Sequence, residues 1–268
     1  MVDLVKHWSD ITFTTQDSKI MPAQFCIISA RWPFMLTHII EKRAKEGGAS
    51  HKSNPKPTQI DVPYQASVFA RILKYVYSDK INPQKLKITE IVELAVVASS
   101  YKLDRLRSIL EHDLVSKLDD ETVFPMLKAA SDKNQLTIKA ICLDYVSHHF
   151  PAFLANKQGL ALLGIDLFQE VTLIVTAQQG AAEKPPPITL PPVPASTLVD
   201  DFTKLYTSMG LSDAVVVIAG EKLRFHRAVL AVQSPALYRW MDEKKDTITT
   251  VCSLLPLHVM LQFLIATR

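Results

Sequence analysis

The side chains that could do chemistry are few and poorly grouped. Cys142 and His148 could act as nucleophile and base, because a thiol needs a nearby imidazole to become the attacking thiolate. Yet Cys142 shares a helical face with Ile138, Ile141 and Tyr145, where a free cysteine packs as a small, inert hydrophobe. His148 and His149 are adjacent, so on a helix they point about 100° apart and chelate one ion badly. Asp10 and Asp213 each stand just before an apolar run, and Asp213 has Arg227 as a partner within reach in sequence. Such a pair reads as a buried ion pair that holds elements together. The chain has no Cys-x-x-Cys, no His-Glu-x-x-His, no Gly-x-Ser-x-Gly and no Gly-x-x-x-x-Gly-Lys. The residues therefore predict no catalytic group, no cofactor and no metal.

Composition narrows the remaining classes. The 268 residues are 48% apolar and 21% charged, enough to bury a core. A net charge of +3, with Lys and Arg spread along the chain, gives no basic stripe for nucleic acid. Cys26, Cys142 and Cys252 lie far apart, which predicts reduced thiols and a cytoplasmic protein, with the nucleus and endomembrane surfaces as alternatives. Lys6 and His7 interrupt the N-terminal apolar residues, so no secretory leader is expected. The most apolar stretch, 159–177, carries Asp166, Gln169 and Glu170, so no membrane span is expected either.

Interaction surfaces are the class left, and they need elements to carry them. Ile11 to Thr15 alternates as a strand, a turn at residues 16–19 follows, and Ile20 opens a second strand. Residues 44–58 are rich in Gly, Ser and Pro and read as a loop between a helix and the strand Ile60-Asp61-Val62. Val68, Ile72, Tyr75 and Val76 have helical spacing, as do Ile91 to Ala98, Leu103 to Leu114, Val123 to Ala130 and Ile138 to Tyr145. Aspartates at 119 and 120 suit a helix start. Shorter apolar segments follow around Leu160 and Phe168. Residues 178–197 hold Pro185, Pro186, Pro187, Pro191, Pro192 and Pro194 and read as a semi-rigid linker.

Beyond the linker the order of elements repeats. Val199, Phe202, Leu205 and Tyr206 suggest a helix, followed by the hairpin of residues 213–218 and 222–225. The N-terminus has the same order, with the apolar stripe Val2, Leu4, Val5 and Trp8 before Ser9-Asp10-Ile11.

Ser212-Asp213 and the run from His226 and Arg227 through Leu237 resemble the central signature of BTB/POZ domains. The first copy is looser, with Ser9-Asp10-Ile11, Ile27 to Phe34, and Tyr75-Val76-Tyr77-Ser78-Asp79; Gln24 stands where the second copy has His226. The resemblance implies an α+β fold, a small mixed sheet flanked by helices. It implies a first BTB domain at 1–117, a helical BACK-like extension at 118–177, and a second, C-terminally incomplete BTB domain at 198–268. The tandem arrangement is similar to the adaptor group of the leucine-zipper-like transcriptional regulator, which serves cullin-3 ubiquitin ligases, so a fragment of a larger adaptor is one expectation.

The same resemblance supplies site expectations. Contacts to cullin-3 would fall on the helices after the signature: Phe34, Met35, Leu36, Ile39, Ile40 and Glu41 in the first copy, Leu237, Trp240, Met241 and Glu243 in the second. Val2, Leu4, Val5 and Trp8 would line a dimer interface. Asp10, Asp213, His226 and Arg227 would be structural, the two acids buried. The function implied is a non-enzymatic scaffold that self-associates and links a ubiquitin ligase to a target, or an oligomerisation scaffold without a ligase role.

Overall fold

Apolar Ile11 and Phe13 alternate with Thr12 and Thr14, and that alternation sets which way the first strand faces. In the computed structural model, which describes residues 9–45, 57–179, 189–208, 211–212, 214–218, 221–226 and 229, both apolar side chains are fully buried. They belong to β1 (Ile11–Thr14), the centre of a three-stranded sheet in the order β2-β1-β3. β2 (Ile20–Ala23) runs antiparallel, with Ile11 opposite Ala23 and Thr14 opposite Ile20. The turn between them is closed by the Thr15 N–H on the Lys19 carbonyl at 3.0 Å, and Ser18 takes the left-handed conformation at φ 57°.

β3 (Thr58–Asp61) pairs parallel to β1 on its other edge, with Ile11 opposite Thr58. A parallel pairing needs a crossover, and α1 (Phe25–Arg31) and α2 (Pro33–Lys45) lie within it. Trp32 separates the two helices at φ −138° and ψ 72°, because Pro33 bars the residue before it from helical geometry. The indole of Trp32 is fully buried, as are Ile28 and Ile39.

The chain divides into two compact units, 1–64 with 197–268 and 65–196. The first therefore contains the hairpin of each repeat copy, while α-helical residues 65–117 of the first copy fall in the second unit. α11 (Leu198–Ser208) leads the second copy, whose hairpin is β4 (Ala214–Ile218) and β5 (Glu221–Phe225), paired antiparallel with Ala214 opposite Phe225. The two hairpins end alike. Gln24 after β2 and His226 after β5 are both buried, and each carbonyl accepts a bond from the next turn, Ile28 N–H at 3.0 Å and Val229 N–H at 3.1 Å.

The second unit is helical: α3 (Ala66–Ser78), a short 3-10 turn (Pro83–Lys85), α4 (Ile88–Ser100), α5 (Asp104–Ser116), α6 (Val123–Asp132), α7 (Leu136–His148), α8 (Phe150–Ala155), α9 (Lys157–Leu163) and α10 (Ile165–Gln179). Asp119 caps the approach to α6, taking the Thr122 N–H at 2.7 Å, the Thr122 hydroxyl at 2.8 Å and the Glu121 N–H at 2.9 Å; these bonds hold its carboxyl below the usual range. Helix α8 was not expected from the sequence; Pro151 in its first turn is the start signal that was available. The α3 C-terminus is closed by Asp79 at φ 55°, and its carboxylate receives Arg105 Nε at 2.9 Å. Arg105 also donates to the Pro194 carbonyl, and the His112 ring lies 2.9 Å from the Pro191 carbonyl, so the end of the linker is pinned along α5.

Candidate protein-interaction site

Helix α2 is amphipathic in a simple way. Met35 and Ile39, four residues apart, are 2% and 0% exposed and belong to the core. One residue on, Ile40 is 53% exposed, and Glu41 is exposed beside it. Phe34 is half-buried and meets His38 edge to face at 4.8 Å between ring centroids, while Leu36 is also half-buried. Phe34, His38 and Glu41 thus follow one another at i, i+4 and i+7, and Leu36 and Ile40, four apart, form a second stripe on the other side of the buried Met35–Ile39 face. Of the six first-copy residues expected to meet a partner, Met35 and Ile39 cannot do so without opening the core. The other four are half-buried or exposed and remain accessible on one rigid helix. Leu237, Trp240, Met241 and Glu243, the second-copy candidates, lie outside the described residues, as do Val2, Leu4, Val5 and Trp8.

The expectation that Asp10 is buried is corrected: its side chain is 54% exposed. Its Oδ1 accepts the Phe25 N–H at 2.7 Å, at the positive end of α1, and Arg43 of α2 lies 3.9 Å from its Oδ2. The Arg43 guanidinium stands 4.1 Å over the Phe25 ring and donates through Nε to Thr58 Oγ1 at 3.0 Å. Asp10 and Arg43 therefore join β1, α1, α2 and β3, which fixes the angle at which α2 presents its outer face. No local pattern carries this arrangement, because the acid's partner is a backbone group fifteen residues away. Asp213 and Arg227 lie outside the described residues; His226 is buried.

The chemical candidates have ordinary structural roles. Cys142 is fully buried and burial pushes its thiol up to about 12, so it carries no thiolate near neutrality. His148 and His149, at the end of α7 and just past it, each hold a ring nitrogen on an α7 carbonyl, Asp144 O at 2.8 Å and Tyr145 O at 3.0 Å. No group of three metal-ligand side chains occurs among the described residues. Among them too, no single helix is long and apolar enough to cross a membrane.

Comparison with curated proteins finds distant relatives named inhibitor of Bruton tyrosine kinase. The mouse protein is 22% identical over 177 residues, 65% of this chain and 12% of its own length. The human protein is 22% identical over 150 residues, covering 55% of this chain and 10% of its own, and that of Xenopus laevis 21% over 165 residues, covering 61% and 12%. The chain thus spans about a tenth of the length of these relatives. They are not leucine-zipper-like regulators, the group that the tandem arrangement had suggested. A profile of the BTB/POZ domain matches residues 3–118 and again 202–265, about two thirds of the sequence and both copies of the repeat. Together with the small mixed sheet, its flanking helices and the duplicated hairpin, that match shows that the chain belongs to the BTB/POZ domain family of protein-interaction and self-association modules.

Proposed function

We propose that this protein is a non-enzymatic adaptor, built on its BTB copies, that links a cullin-3 ubiquitin ligase to a target protein. The observation that carries the proposal is the split face of α2. Ile40, a large apolar side chain at 53% exposure, stands with Phe34 and Glu41 on a helix whose other side is locked into the core by Met35 and Ile39. An apolar anchor flanked by polar groups on a rigid element is what a helix-docking partner requires. The adaptor would speed ubiquitin transfer by raising the local concentration of target near the charged ligase, with no chemistry of its own.

Helices α6 to α10 would then be the BACK-like extension, a spacer between the BTB copies and whatever carries the target. The relatives' name adds a tyrosine kinase as one candidate target. A cytoplasmic location fits cysteines that are packed in the core, as Cys26 and Cys142 are. The test is a calorimetric titration of the purified chain with the N-terminal region of cullin-3, run beside light scattering. Micromolar or tighter binding supports the adaptor reading; a folded, self-associating chain that does not bind leaves an oligomerisation scaffold as the function.

A further inference from the structure

We propose that the two BTB copies are locked together within one chain, with the leading helix of the second copy docked on α1 of the first. By order along the sequence α11 belongs to the second copy, since it precedes the β4–β5 hairpin as residues 2–8 precede β1–β2. Its packing partner is nevertheless α1 of the first copy. The face it turns inward is set by Leu205, 8% exposed, with Leu198, Asp201 and Phe202 half-buried, while Val199 at 75% and Tyr206 at 48% face outward.

At the centre of the contact Arg31 donates to Asp201 Oδ2 at 2.6 Å and to Thr197 Oγ1 at 3.0 Å. Thr197 in turn donates to the same Asp201 oxygen at 2.7 Å, and its carbonyl takes the Asp201 N–H at 2.8 Å. The Arg31 side chain is only 4% exposed and that of Asp201 20%. A guanidinium buried this far tolerates few partners, so the triad specifies which helix may dock and in what register. The linker makes docking in the same chain favourable. Two sites in one chain meet at an effective concentration set by the chain between them, which is independent of dilution, unlike a meeting of separate chains.

This deepens the self-association part of the adaptor reading and stands or falls apart from cullin-3 binding, which a separate titration reports. The test uses intact chains bearing Arg31→Asp, Asp201→Arg, both changes together, or the two single variants coexpressed. Each single variant places like charges together and lowers the melting temperature by several degrees. Docking in cis predicts that the double variant regains most of that loss, while the coexpressed singles do not. If coexpressed singles recover as well as the double variant, α11 docks on a neighbouring chain and the proposal is overturned. A second measurement does not depend on these variants folding: in a chain carrying Arg105→Ala and His112→Ala, which removes the linker's side-chain contacts to α5, a specific protease site is placed within residues 180–188 and cut after folding. Co-elution of the two fragments at dilution supports docking, and their separation overturns it.

Discussion

Arg31 and Asp201 stand 170 positions apart in the sequence and meet at 2.6 Å, with the arginine side chain almost wholly out of water. The pair joins the first helix of one BTB copy to the leading helix of the other. Replacing Asp201 by Ala leaves the guanidinium buried with Thr197 as its remaining partner in the triad, and should cost about 3 kcal/mol in chemical denaturation. The double variant Arg31→Met, Asp201→Leu removes both charges and should cost much less. Equal losses in the two would mean that packing, and not charge pairing, holds the helix in place.

Gly159 lies on α9 against the Phe124 ring, and a β-carbon there would come within 2.5 Å of it. The ring cannot swing aside, because it stacks on Phe153 at 4.9 Å between centroids and 7° between planes. Gly159→Ala gains up to about 1 kcal/mol of helix propensity. Overpacking costs roughly 1–3 kcal/mol, so the net effect is destabilising. Combining it with Phe124→Leu should recover part of the loss, read as a shift in melting temperature.

Glu111 on α5 is 7% exposed, and burial raises its carboxyl above the ordinary 4.5, with Arg107 and His112 pulling the other way. The folded state therefore holds this proton more tightly than the unfolded chain. Its contribution to stability is full below the ordinary carboxylate range and is lost as pH rises through the elevated value. Glu111→Gln should raise the melting temperature at pH 7 relative to wild type and give no gain at pH 4.

With its thiol near 12, Cys142 has about one part in 10,000 as thiolate at pH 8. Iodoacetamide should leave it unmodified in the folded chain, and mass spectrometry should find it labelled only once denaturant unfolds α7. Labelling of the native chain within minutes at pH 8 would show that α7 opens locally.

Much of the fold could be read from periodicity. Ile11 and Phe13, the stripe from Val68 to Val76 and the runs in α4 to α7 lie on inward faces because each repeats at the period of its own element. The Asp-rich start of α6 was legible as well, and Asp119 makes the capping bonds that its type suggested. The face of α11 was read one step out of phase: Val199 and Tyr206 were grouped with Phe202 and Leu205, whereas Leu198 takes the inward side with the latter two. Helix α2 was ambiguous for the same reason. Phe34-Met35-Leu36 and Ile39-Ile40 are continuous apolar runs, and only packing decides that Met35 and Ile39 turn in and Ile40 out. The roles of Asp10 and of the Arg31–Asp201 pair depend on contacts distant in sequence, which no local pattern carries.

The most direct measurement compares the wild-type chain with Ile40→Asp in calorimetric titration against the N-terminal region of cullin-3, with melting temperatures taken on the same samples. The account predicts micromolar or tighter binding for wild type, weakened at least about tenfold in the variant, a loss of roughly 1.4 kcal/mol, with the melting temperature unchanged because Ile40 lies outside the core. A well-folded wild-type chain that shows no heat of binding, or a variant that binds as tightly as wild type, would contradict it.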